Sequence, residues 1–168
     1  PPDPGTFVTG LSTHTRVPVT AIYFGGTHAH TSPSFAVDPQ AAASKAYVDF
    51  VYRQMLDAAD EAIRKMRPAT VGIGSTQSYI SVNRQRVYDV VGAPSVGAQG
   101  YNPEGPSDKT LTVVRFSATD GTPIAFVVHY AMHLTTMYAN KLSADGVGIS
   151  GDVGGAVWRH FEQRFAGA

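Results

Sequence analysis

Between Pro39 and Pro68, apolar side chains recur at steps of three and four: Val48, Tyr52, Met55, Ala59, Ala62 and Met66. That spacing lines them along one stripe of a helix, and the stripe has to be laid against something else. Asp38-Pro39 offers an N-cap followed by proline at the first helical position, and Pro68 closes the run. A helix of about seven turns is expected, at roughly 3.6 residues per turn.

What this helix packs on is expected to be β-structure. Leu111 to Phe116 and Pro123 to Tyr130 are the clearest strands, joined across the turn signal Asp120-Gly121. Val17 to Phe24 is also expected as a strand, closed by Gly25-Gly26, and Thr70 to Gly74 and Ser78 to Val82 as two short strands around Ser75-Thr76-Gln77. Asn83 to Lys109 carries four glycines and three prolines without periodicity and reads as one long loop. Beyond a polar loop from Thr135 to Gly151, a last helix is expected from Val153 to Phe165, with Val157, Phe161 and Phe165 at four-residue spacing. Strand, helix, strands, helix predicts an α/β layered domain with a mixed β-sheet flanked by helices. Residues 1–168 read as a single domain, or a large piece of a bigger one, without internal repeat or boundary. Pro1-Pro2-Asp3-Pro4-Gly5 reads as an irregular start rather than a signal peptide.

Composition excludes several kinds of function. Thirteen basic residues balance thirteen acidic ones, with no basic block, so nothing recommends nucleic acid or an anionic membrane as a partner. No cysteine is present, which removes disulfides and thiolate chemistry. No apolar run reaches the length of a transmembrane helix. Charged residues make up only 15%, low for a free-standing surface, and this predicts that further protein covers part of the chain.

The residues that can carry chemistry are histidines. His28 and His30 flank Ala29 just past the apolar run ending at Phe24, and alternate residues of a loop can face one cleft. His133 follows the second apolar run, with Thr135-Thr136 behind it. Imidazole serves both as a zinc ligand and as a general base near neutral pH. The alternative for each is a loop or strand-end histidine that bonds backbone carbonyls. His129 would share a side with His133 if its strand continued, and reads as a hydrogen-bonded core residue. His14 is expected in a loop and His160 on the flank of the last helix.

Arg84 or Arg86, one of the two, could face a site at the end of a strand and stabilise an oxyanion; the alternative is a solvated surface arginine. Asp152 is a natural N-cap for the last helix, whose glycines also leave N–H groups free for an anion. The lysine and spacing of a phosphate loop are missing, and so is the G-x-S-x-G elbow of a serine hydrolase. The long loop, with Tyr88, Pro94, Tyr101 and Pro103, either shapes a substrate mouth or is plain surface.

Taken in order, these segments resemble the neutral, non-lysosomal ceramidase family. The run Thr27-His28-Ala29-His30-Thr31-Ser32-Pro33 is similar to its T-H-T-H-S-G-P hallmark, and Val82-Asn83-Arg84-Gln85-Arg86 to its I-N-R-S-P. Tyr130-Ala131-Met132-His133-Leu134-Thr135-Thr136 is similar to its "F-A-x-H" strand end, Asp152-Val153-Gly154-Gly155-Ala156 to its helix opening, and Thr119 to Ile124 to the hairpin before the histidine strand. Ala29, the Thr31-Ser32 pair and the Gln85-Arg86 pair depart from the family pattern. The resemblance implies Zn2+ held by His28 and His133, with His30 as general base and Arg84 stabilising the oxyanion formed when water attacks an amide carbonyl. It further implies that residues 1–168 form the N-terminal part of a larger metallohydrolase catalytic domain, acting on a hydrophobic or lipid-like N-acyl amide in a secreted or periplasmic protein. The family's remaining ligands, a glutamate and a tyrosine, would come from a further segment or a second chain. An esterase or peptidase with the same centre, or a binding module that keeps the fold, are the alternatives.

Overall fold

In the computed structural model, residues 4–33, 42–137 and 148–165 are described. They comprise helices α1 (Pro4–Thr15), α2 (Ala42–Arg64) and α3 (Asp152–Arg164), and strands β1 (Ala69–Gln77), β2 (Asn83–Tyr88), β3 (Val96–Asn102), β4 (Thr110–Ala118) and β5 (Pro123–Tyr130). The α/β class expected from the sequence is what is found. Its β-residues lie in two antiparallel ladders, β1-β4-β5 and β2-β3, rather than in one mixed sheet. The chain divides into two compact units: residues 1–68 with 134–157, and residues 69–133 with 158–168.

The first unit is built on α1 and α2. Phe7, 5% exposed, is its most buried apolar residue; it stacks on Phe24 and meets the Tyr52 ring edge-on at 5.2 Å. Val48, one turn before Tyr52, is buried beside it in the sequence stripe. Gly10 permits this approach, since a Cβ there would stand 1.9 Å from the Tyr52 hydroxyl. At the end of α1, His14 Nε2 lies 2.9 Å from Asp60 of α2.

Two expectations fail in this unit. Pro4 and Gly5 are helical rather than part of an irregular start, because Pro4 occupies the first helical position, where a missing N–H costs nothing, while residues 1–3 lie outside the described residues. His14 therefore lies on a helix and not in a loop. Val17 to Phe24 is not a strand: Val19–Ala21 forms a 3-10 turn, with N–H groups of Ala21 and Ile22 bonded to the carbonyls of Pro18 and Val19. Pro18 lacks a donor for any ladder, and the turn consumes the carbonyls around it. The expected N-cap at Asp38-Pro39 lies outside the described residues, as does most of the loop expected from Thr135 to Gly151.

The second unit is built on the β1-β4-β5 sheet. Val71 pairs with Phe116 and Ile73 with Val114, and these in turn with Ala125 and Val127 of β5. The β4–β5 hairpin is as expected, with Gly121 at a φ of 87° that its turn requires. Phe126 points to the other face, where Phe161 and Phe165 from the last turns of α3 pack on it at 4.7 and 4.8 Å between ring centroids. The Val71 face is left exposed, with Ile73 72% and Val127 54% accessible.

The region before β4 also differs from expectation. A single strand, β1, replaces the two short ones, and Ser78 to Val82 is irregular. The stretch expected as one long loop holds the β2–β3 hairpin. This hairpin is exposed along nearly all of its length, so neither face imposes the alternation by which a strand is recognised. No helix among the described residues is long and apolar enough to cross a membrane.

Candidate functional site

The segment Gly25 to Pro33 is tied down at both ends. Before it, Phe24 is stacked on Phe7 at 5.7 Å with an interplanar angle of 7°. After His28, the chain is sewn to two remote loops of the same unit. The His30 N–H donates to the Leu134 carbonyl at 3.2 Å. The Ser150 N–H donates to the Thr31 carbonyl, and the Thr31 hydroxyl donates back to the Ser150 carbonyl, each at 2.9 Å.

Between these anchors His28 adopts a φ of 56°. A left-handed backbone costs a non-glycine residue about 1–2 kcal/mol, and such residues gather at binding sites where the surroundings hold them. The turn brings the rings of His28 and His30 together edge to face, their centroids 4.9 Å apart at 70°. A ring nitrogen of one lies within 4.8 Å of a ring nitrogen of the other. Both side chains are exposed, and with Tyr47 of α2 they line an open hollow of about 550 Å³. The two imidazoles thus present ring nitrogens side by side at the mouth of an open hollow.

His133 is half-buried just beyond β5, which ends at Tyr130. A single peptide bond joins it to Leu134, the residue whose carbonyl receives the His30 N–H. Within its own unit its Nδ1 lies 2.5 Å from Nη2 of Arg84. Arg84 sits where the β2–β3 register shifts, between the Asn83–Asn102 and Gln85–Gln99 pairs. Such irregularities re-aim side chains. Arg86 goes elsewhere: it donates to the Tyr101 carbonyl at 3.2 Å, and its guanidinium lies over the Tyr88 ring. Of the two arginines, Arg84 is therefore the one beside a predicted site histidine, at the start of β2 rather than at the end of a strand.

The approach to Arg84 is fixed by Tyr130. Its hydroxyl donates to the Ser78 carbonyl at 2.8 Å and accepts from the Ser81 N–H at 3.1 Å, which holds the irregular 78–82 segment against β5.

Asp152 does more than open α3. It is 5% exposed, with a φ of 54°. Its carboxylate accepts the N–H groups of Val153 at 2.7 Å and Met137 at 2.9 Å, and its own N–H donates to the Ser150 hydroxyl at 3.0 Å. Burial pushes this carboxyl up, but hydrogen bonds from Met137, Val153 and Thr136 outweigh that and hold it below the usual aspartate value. Asp152 thus joins the loop after Leu134 to the loop that carries Ser150.

The remaining histidines stand apart from these groups. His129 is exposed on β5 opposite Thr112, not a core residue, and the strand stops before His133, so alternation does not relate the two. His160 is exposed on α3, its ring edge-on to Phe161 at 6.0 Å. Sequence reasoning missed Tyr47, Leu134 and Ser150, because a ring lining a hollow and two backbone carbonyls leave no motif. No family model, curated protein or solved structure matches the chain.

Proposed function

We propose that this chain carries part of a zinc-dependent hydrolase that cleaves a linear amide, with a hydrophobic N-acyl amide as substrate. The observation that carries the reading is the hydrogen bond from the His30 N–H to the carbonyl of Leu134. It ties the His-x-His loop to the residue that follows the third histidine.

In this reading His28 and His133 hold the metal through ring nitrogens, and His30 takes a proton as general base. Zinc, when bound, polarises a carbonyl oxygen and makes water a nucleophile near neutral pH. Arg84 offers a cation with a fixed fork of donors for the oxyanion. His28, held in a strained backbone, is preorganised for its task, and Thr31 and Ser150 keep the loop from relaxing. The order of these motifs, similar to that of the neutral ceramidases, supports an amide rather than an ester or peptide as substrate.

Two histidine ligands and a base do not fill a zinc site. The remaining ligands come, in this reading, from a further segment or a second chain. The exposed apolar face of Val71, Ile73 and Val127 supports the packing of further protein on the β1-β4-β5 sheet.

The test is hydrolysis of a panel of long-chain and short-chain N-acyl amides by the native assembly. Turnover of the long-chain members, abolished by a zinc chelator and restored by zinc, is expected. Hydrolysis that ignores the chelator, or no hydrolysis with zinc bound, overturns the reading.

A further inference from the structure

We infer that Arg84 competes with the metal for His133, so that zinc loading releases its guanidinium for use in the site. The inference rests on the zinc reading above and deepens it. Its starting point is the 2.5 Å contact between Arg84 Nη2 and His133 Nδ1.

A guanidinium has donors only, so Nδ1 of His133 must be the acceptor. A neutral imidazole that accepts at Nδ1 carries its proton on Nε2. That tautomer has one available lone pair, and Arg84 holds it. A metal needs a ring lone pair too. If it binds at Nδ1, it displaces Arg84 directly. If it binds at Nε2, the proton has to move to Nδ1, which then sets N–H against N–H and expels Arg84 as well.

The partner is also of the wrong kind for a loaded site. Metal-bound histidines donate their second N–H to a carboxylate, carbonyl or water, and arginine can accept from none. Charge acts in the same sense, since a guanidinium cation repels a dication.

Arg84 is free to change position. It is exposed, on an exposed hairpin, and its backbone stands at the register shift of β2 and β3. The same side chain therefore has two settings: on His133 without metal, and away from it with metal, where its donors become available to an oxyanion. Coupling of this kind is reciprocal, so whatever zinc does to Arg84, Arg84 does to zinc affinity.

The experiment compares zinc affinity of the wild-type protein and Arg84→Met by competition with a chromogenic chelator. Methionine keeps an unbranched apolar stem and removes both charge and donors. Arg84→Met is expected to bind zinc more tightly by roughly fivefold to tenfold, the loss of one charge-assisted hydrogen bond at an exposed site, with Arg84→Lys in between. Equal or weaker affinity overturns this inference and leaves the zinc reading standing. No zinc bound by either protein overturns both. Nitrogen NMR of His133 in the zinc-free wild type supplies a readout that needs no variant. A proton on Nε2 is expected, released from Arg84 on zinc addition, and a proton on Nδ1 overturns the inference.

Discussion

The backbone N–H of His30 donates to the carbonyl of Leu134, next in sequence to His133. With the two hydrogen bonds between Thr31 and Ser150, it makes the His-bearing loop part of a three-loop knot rather than a free excursion. Asp152 closes that knot through Met137 and Ser150. The knot is the device that sets where the imidazoles of His28 and His30 stand.

Thr31→Val removes the hydroxyl bond to Ser150 and leaves the reciprocal backbone bond. It should cost about 1 kcal/mol of stability, the net worth of one hydrogen bond, read by urea denaturation. Zinc affinity should fall severalfold with it. Full stability with unchanged zinc affinity would show that the knot does not set the loop.

Asp152 should make the protein acid-sensitive. Its carboxyl is held below its usual value, so its contribution is present above the unfolded pKa of about 3.9 and is lost as pH falls through the lower folded value. Wild type should thus lose stability below about pH 4 more steeply than Asp152→Asn, which does not titrate. Asn also tolerates the positive φ, so Asp152→Ala should be the worse variant at neutral pH, by about 1 kcal/mol. Denaturation curves at several pH values check both.

Helix α2 was readable because one stripe of apolar residues repeats over many turns, and β4–β5 because each strand is half-buried and Asp120-Gly121 marks its turn. Helix α1 was hidden by Pro2, Pro4 and Gly5, which look like breakers although Pro4 stands where a helix accepts it. Val17 to Phe24 misled in the opposite way: β-branched residues promised a strand, but Pro18 and the 3-10 turn leave nothing to pair. The candidate site residues His28, His30 and His133 were visible in the sequence as imidazoles that follow apolar runs. Their supports were not, since the carbonyls of Leu134 and Ser150 acquire meaning only when remote loops meet.

Tyr130→Phe removes one hydroxyl that serves two backbone groups, Ser78 and Ser81. The cost should be about 1–2 kcal/mol, because one carbonyl and one N–H lose a partner. Hydrogen exchange at the Ser81 amide should accelerate while the amides of β4 stay protected. Equal acceleration throughout the sheet would mean that Tyr130 supports the whole fold and not the approach to Arg84.

His30 separates a base from a ligand. As a base, His30→Ala should retain zinc and lose roughly 10²–10⁴-fold in amide hydrolysis. As a ligand it should lose zinc along with activity. Chelator competition run beside the activity assay distinguishes the two, and zinc loss would transfer His30 to the ligand set.

Zinc content of the native assembly, by elemental analysis, tests the central claim most directly, measured beside His28→Asn and His133→Ala. Asparagine at position 28 accepts the left-handed backbone, so that variant removes the imidazole without forcing the loop. The account predicts close to one zinc per assembly in the wild type and its loss in both variants. A wild type without zinc, or zinc retained after both substitutions, would contradict it.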